Sequence, residues 1–191
     1  MDQKRAIELL TDSNALLTGH FLLASGNHSE RYIQCALLLS RPDLAVEFLQ
    51  DIADHFKGDS IDIVAAPAVG GIIVSYEVGR FLGKRTIFLE RENGIMSLRR
   101  GFSIKEGEKV LIVEDVITTG SSVLEVRDAV LGKGGHVIAF ASLVNRSAGR
   151  FKPGLPYYFC IDMDIPIYNP DDCPLCQKGT PVVKPGSKGL V

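Results

Sequence analysis

The stretch VLIVEDVITTGSS, residues 110–122, runs from an apolar strand into two adjacent acids and then into hydroxyl residues gathered around a glycine. Behind it, SSVLEVRDAVLGKGG (121–135) has a helical pattern stopped by glycines, and HVIAFASLVN (136–145) reads as the next strand. Working outward on the other side, RTIFLE (85–90) is a strand, GGIIVSYEVGRFLG (70–83) a helix begun by glycines, and IDIVAAP (61–67) a short buried strand. Before these, RPDLAVEFLQDIADHF (41–56) sets Leu44, Phe48, Ile52 and Phe56 on one helical face behind Pro42. Strands alternating with helices imply an α/β fold: a mostly parallel sheet flanked by helices, with ligands collected at the carboxyl ends of the strands. The first 40 residues and the chain from YYFCIDMDIPIYN (157–169) onward fall outside this rhythm, and are expected to form a small hood, mainly residues 1–40 with part of the C-terminal region. The tail GTPVVKPGSKGLV (179–191) carries neither a helical nor a strand pattern.

With 191 residues, 46% apolar and 23% charged, the chain has the composition of one globular domain, residues 1–191, rather than a disordered or fibrous chain. A net charge of −2 supplies no global field for nucleic acid or an anionic membrane, so an anionic ligand must be met locally. MDQKRAIELL lacks the long apolar core of a signal peptide, and no run approaches the roughly 18 apolar residues of a membrane span. A cytoplasmic protein is expected, in which Cys35, Cys160, Cys173 and Cys176 are thiols or metal ligands rather than a disulfide framework.

The decisive loop is read through its chemistry. Thr118, Thr119, Gly120, Ser121 and Ser122 open onto a helix whose first N–H groups and positive dipole end suit a phosphate. Glu114 and Asp115 would repel that phosphate but accept hydrogen bonds from sugar hydroxyls. Together they describe a ribose 5-phosphate site; neither a Walker loop nor a dinucleotide glycine fingerprint is present. In APAVGGI (66–72), Gly70 and Gly71 either let backbone N–H groups approach an anion or serve the geometry of a tight turn, and both can hold at once. Arg146 ends the strand of SLVNRSAG (142–149); it is either a solvated arginine or a planar grip for a flat acceptor bearing a carboxylate.

The stretch 110–122 resembles the motif with which the type I phosphoribosyltransferases bind phosphoribosyl pyrophosphate, with Val116 and Ile117 between the acids and the hydroxyl loop. GHFLLASGNHSERYIQCAL (19–37) resembles the hood of the orotate-using members of that family, and with APAVGGI and LVNR the similarity spans most of residues 10–150. The resemblance implies that Tyr32 and Ile33 lie against the acceptor ring, that Thr118 serves the acceptor as well as the sugar phosphate, and that the loop 66–72 contacts pyrophosphate. It implies transfer of the phosphoribosyl group to orotate in pyrimidine biosynthesis, by a homodimer. A purine or uracil acceptor is the alternative. A regulator of the same fold that binds nucleic acid would need a basic surface or an added module, which the net charge and the early start of the motif argue against. The chain departs from many orotate enzymes in having Ala24 and Gly70 where they carry lysine.

A multiply charged pyrophosphate substrate calls for Mg²⁺, held mainly through the substrate itself. Within ERENGIMSLRRGFSIKEG (90–107), the loop from Arg91 to Phe102 is expected to close over the substrates, with Arg91, Arg99 and Arg100 neutralising the leaving group. CPLC (173–176) is half of a zinc site or a pair of reduced thiols in a turn, and the thiols are the expectation. His20, His28, His55 and His136 show no paired metal spacing and are taken as structural or surface residues.

Overall fold

The computed structural model describes residues 1–23 and 25–185; Ala24 and the tail beyond residue 185 lie outside the described residues. The elements are α1 (Gln3–Asp12), β1 (Leu16–Leu22), β2 (His28–Ile33), α2 (Cys35–Leu39), α3 (Pro42–Phe56), β3 (Ile63–Pro67), α4 (Gly70–Leu82), β4 (Arg85–Glu92), β5 (Ile95–Leu98), β6 (Lys109–Ile117), α5 (Ser121–Leu131), β7 (His136–Asn145), β8 (Tyr157–Asp162) and α6 (Pro174–Gln177), with a 3₁₀ turn at Pro170–Asp172. Six strands form one sheet in the order β5-β4-β3-β6-β7-β8, parallel except for β5. Its centre is apolar on both faces, as a parallel sheet covered by helices requires. Val64 and Ala66 share a core with Phe48 and Ile52 of α3 and Val74 and Val78 of α4. Ile63 and Ala65, pointing the other way, pack with Val123, Val126 and Val130 of α5. No helix among the described residues is long and apolar enough to cross a membrane.

Three elements differ from the sequence expectation. Tyr157–Asp162 belongs to the sheet, not to a hood: β8 pairs in parallel with β7 from Tyr157 to Asp162. No helix separates these two strands, so the alternation that revealed the other strands is missing there. α1 belongs to the main core as well, burying Ala6, Leu9 and Leu10 beside α3, with the Asp2 side chain accepting from the Arg5 N–H at its start. Finally, the expected catalytic loop is largely a β-hairpin, β4 running on to Glu92 and β5 returning antiparallel to it. Asn93 (φ 51°) and Gly94 (φ 84°) form its two-residue turn, both left-handed as the favoured hairpin turn demands.

What remains of the hood is the antiparallel pair β1–β2, bent by a register shift between Thr18 and Phe21. The C-terminal segment edges it on both sides. His28 exchanges both backbone hydrogen bonds with Tyr168, and Val183 bonds to His20 and Leu22.

Candidate active site

β3 and β6 are neighbours in space, yet the chain leaves β3 toward β4 on one side and β6 toward β7 on the other. Between them lies the switch point at which ligands of open α/β sheets bind. Their pairing runs only as far as Ala65 and Ile112, whereas β6 stays paired to β7 through Ile117. A cleft opens between β3 and β6, and Glu114 and Asp115 stand in it. The N–H of Asp115 donates to Glu114 Oε1 (3.1 Å) and that of Val116 to Asp115 Oδ1 (2.7 Å), so the two carboxylates satisfy backbone donors where the β3 ladder has ended. Burial and the neighbouring Asp115 charge push the Glu114 carboxyl well above the usual range; burial raises Asp115 too. Ionising both therefore costs free energy until donors or a cation arrive.

The loop after β3 closes the same cleft. A Cβ at Gly70 would overlap the Asp115 carboxylate, and one at Gly71 would press on Ala66 and approach Glu114 Oε1 to 3.2 Å. The glycines are thus required by close packing against the acids, and a lysine at position 70 has no room in this arrangement. The Ala68–Val69 peptide is cis.

On the other side, Glu114 and residues 116–123 line one open hollow. Gly120 is left-handed (φ 78°), with the Phe151 ring where a side chain would go, and it turns the chain into α5. The N-cap residues Val69 and Gly120 make no side-chain bond to α4 or α5, and at the start of α5 only the Ser121 N–H meets a side chain, a long contact to Thr119 Oγ1 (3.4 Å). Two helix N-termini therefore flank the acids with their N–H groups open to an anion.

Arg146 follows β7, its own N–H held by the Ile117 carbonyl (2.7 Å). Ser147 N–H bonds to Asn145 Oδ1 and Asn145 to Asp162, fixing this turn on β8. The guanidinium is partly buried, and its Nε is a buried donor with no partner among the described residues. Burial lowers its pKa, and Tyr32 and Cys35 lie close enough to bear on its charge. The thiol of Cys35, which the sequence reading passed over, lies 3.8 Å from the Asp115 carbonyl. Tyr32 and Ile33 do not act as a pair: adjacent strand residues point to opposite faces, Ile33 is 4% exposed in the core, and Tyr32 alone, tilted against Phe21, turns a side chain elsewhere.

The hairpin arginines are engaged in ion pairs rather than gathered in the hollow. Arg91 pairs with Glu125 of α5 (2.8 Å), Arg99 with Glu92 (3.3 Å) and Arg100 with Glu90 (2.8 Å). Away from the cleft, His20, His28, Cys173 and Cys176 converge, although nothing in their spacing joins the histidines to the cysteines. His55, by contrast, stacks on Tyr158, and His136 is exposed.

A parallel sheet with an acid pair and a hydroxyl loop at its switch point is the architecture of a phosphoribosyl-transferring enzyme. The sequence profile described as "Phosphoribosyl transferase domain" matches residues 41–175. The orotate phosphoribosyltransferase of Caldicellulosiruptor bescii is 51% identical over 188 residues, covering 98% of this chain and 99% of the relative; that of Thermotoga maritima is 47% identical, with 96% and 98% covered. The fold is similar to that of Mycobacterium tuberculosis orotate phosphoribosyltransferase in complex with inorganic phosphate (TM-score 0.68, 21% identity, 84% of this chain and 96% of that one). It is also similar to Leishmania donovani UMP synthase (TM-score 0.71, 22% identity), covering 84% of this chain and 36% of that one. The chain belongs to the phosphoribosyl transferase family, and within it to the orotate phosphoribosyltransferases.

Proposed function

We infer that the protein transfers the phosphoribosyl group of phosphoribosyl pyrophosphate to orotate, yielding orotidine 5′-phosphate and pyrophosphate in pyrimidine nucleotide biosynthesis. The observation that carries the acceptor is Arg146, a partly buried guanidinium with an orphaned Nε–H at the carboxyl edge of the sheet. A flat acceptor with a carboxylate supplies the partner it lacks; adenine, guanine and uracil carry no carboxylate. Tyr32 lies along the ring face. The N–H groups and hydroxyls of residues 118–122 hold the 5′-phosphate, Glu114 and Asp115 accept from the ribose hydroxyls, and the loop at Gly70 and Gly71 receives the pyrophosphate.

The chemistry is positioning and charge stabilisation. As pyrophosphate leaves, the anomeric carbon gains positive character beside the acids, and the orotate ring nitrogen attacks from the opposite face with inversion. Arg91, Arg99 and Arg100 stand in exposed ion pairs worth little individually, so they can exchange a carboxylate for the leaving group as the hairpin closes. The adjacent, buried carboxyls suit a hard divalent cation held mainly through the substrate. Glu114 and Asp115 would face a Mg²⁺ ion brought in with the substrate, which would offset the negative charge of pyrophosphate.

A homodimer fits one surface feature. Val69, Ile73 and Tyr76, spaced to share one face at the start of α4, are 82%, 47% and 61% exposed beside the pyrophosphate loop. A second copy covering this stripe would stand beside the pyrophosphate loop. The cytoplasm is the proposed location. Incubating the protein with Mg²⁺, phosphoribosyl pyrophosphate and each base in turn tests the reading. Consumption of orotate alone is expected, and turnover of a purine or uracil in its place would reassign the acceptor.

A further inference from the structure

We propose that His20, His28, Cys173 and Cys176 form a structural zinc site that clips the C-terminal segment onto the hood. The four ligand atoms all lie within 4.8 Å of one another, three of the residues are buried, and they come from β1, β2 and the turn around α6. A tetrahedral ion with metal–nitrogen bonds of about 2.0 Å and metal–sulfur bonds of about 2.3 Å sets nitrogen–sulfur edges at roughly 3.5 Å. Here Cys173 Sγ lies 3.5 Å from His20 Nε2, and Cys176 Sγ lies 3.8 Å from His20 Nε2 and 3.3 Å from His28 Nδ1. The two ring nitrogens, at 2.8 Å, are somewhat closer than a zinc tetrahedron holds them, so a small opening of the histidine pair accompanies metal entry.

The surrounding bonds already orient a ligand. His20 Nδ1 lies 2.7 Å from the Thr180 carbonyl, so Nδ1–H donates there and the Nε2 lone pair faces the cluster. Two imidazoles and two thiolates are the donor set of structural zinc, and with four protein ligands no position is left open for substrate. The C-x₂-C half of the motif was visible in the sequence. Its partners sit one on each strand of the β1–β2 pair, about 150 residues earlier, at the points where the C-terminal segment edges that pair. A two-stranded sheet is marginal by itself. A metal joining both its strands to residues 173 and 176 fixes the hood and the segment as one body. The arrangement stands independently of which base is the acceptor.

The dry alternative is a His28–His20 hydrogen bond beside two thiols, and metal uptake separates the two. Full-length protein stripped with a chelator and titrated with Zn²⁺ alone is expected to take up about one ion per chain. Its melting midpoint should rise by several degrees, and its C-terminal segment should become more resistant to proteolysis. Cobalt(II) in place of zinc should give the visible bands of a tetrahedral site with sulfur-to-metal charge transfer. Cys176→Ser, at the exposed ligand, should remain folded by circular dichroism and lose part of that charge transfer. Folded wild-type protein that takes up neither ion overturns the proposal, as does a cobalt spectrum unchanged in Cys176→Ser. Metal uptake with no gain in melting midpoint or protease resistance overturns the clip.

Discussion

At the scale of single residues, the site is a set of groups held in states that water would not favour. Asp115 is buried beside a second buried acid, and both carboxyls titrate above their ordinary values. A carboxyl whose folded pKa is raised contributes stability fully below the unfolded carboxylate range, and that contribution is lost as pH rises through the raised value. Asp115→Asn removes one charge of the pair, so the variant should melt no lower than the parent at neutral pH. Its kcat/KM for phosphoribosyl pyrophosphate should fall about 10- to 100-fold, the worth of a charge-assisted hydrogen bond. The same logic makes substrate binding release protons, visible in calorimetry as a heat that changes with the buffer's ionisation enthalpy. Arg146 is the cationic counterpart. Its Nε donates to no group among the described residues, so Arg146→Ala should leave thermal stability intact or higher while costing about 2 to 5 kcal/mol in orotate kcat/KM. Arg146→Lys should recover only part, because a point charge cannot reproduce a two-bond planar grip. A solvated arginine would instead leave both variants within about 0.5 kcal/mol of the parent.

At the scale of elements, the phosphate loop depends on how it is propped from below. Gly120 has φ 78° and faces the Phe151 ring, which packs edge-on against Phe140 and Tyr157 in the core. Gly120→Val therefore should lose thermal stability as well as phosphate affinity, by more than about 2 kcal/mol, since it adds backbone strain to a clash with an aromatic cluster. Ser121→Ala removes one exposed hydroxyl and should change stability by less than about 0.5 kcal/mol; thermal denaturation of the two checks the difference. The glycine was legible in VITTGSS as a ligand feature, whereas its second duty depends on Phe151, 31 residues away, and no local pattern announces that. The hairpin is the reverse case. Asn93-Gly94 between β4 and β5 is a strong local turn signal, but the charged residues around it read as a closing loop because β5 is the edge strand and β4 beyond Leu89 pairs with it alone, leaving many side chains there exposed.

At the scale of the whole molecule, the exposed stripe of Val69, Ile73 and Tyr76 gives the proposed dimer a testable face. Sedimentation at micromolar concentration should find the parent dimeric and Tyr76→Glu shifted to monomer, since a buried unpaired carboxylate opposes association. A monomeric parent would remove this stripe from the argument for a dimer. Apart from β5, the order of strands and helices from residue 41 to 145 could be read from the chain alone, because each helix there buries one stripe and the central strands are short apolar runs, patterns that survive in the sequence. The acid pair and the hydroxyl loop could be read for a similar reason, as one strand, one turn and one helix end carry that chemistry within thirteen consecutive residues, 110 to 122. Contacts between distant segments were of another kind. The sixth strand joins without an intervening helix, Ile33 turns into the core, and His20 and His28 meet Cys173 and Cys176. These follow from long-range packing, in which a residue's partner is chosen by the path of the whole backbone, and neither periodicity nor spacing carries that path.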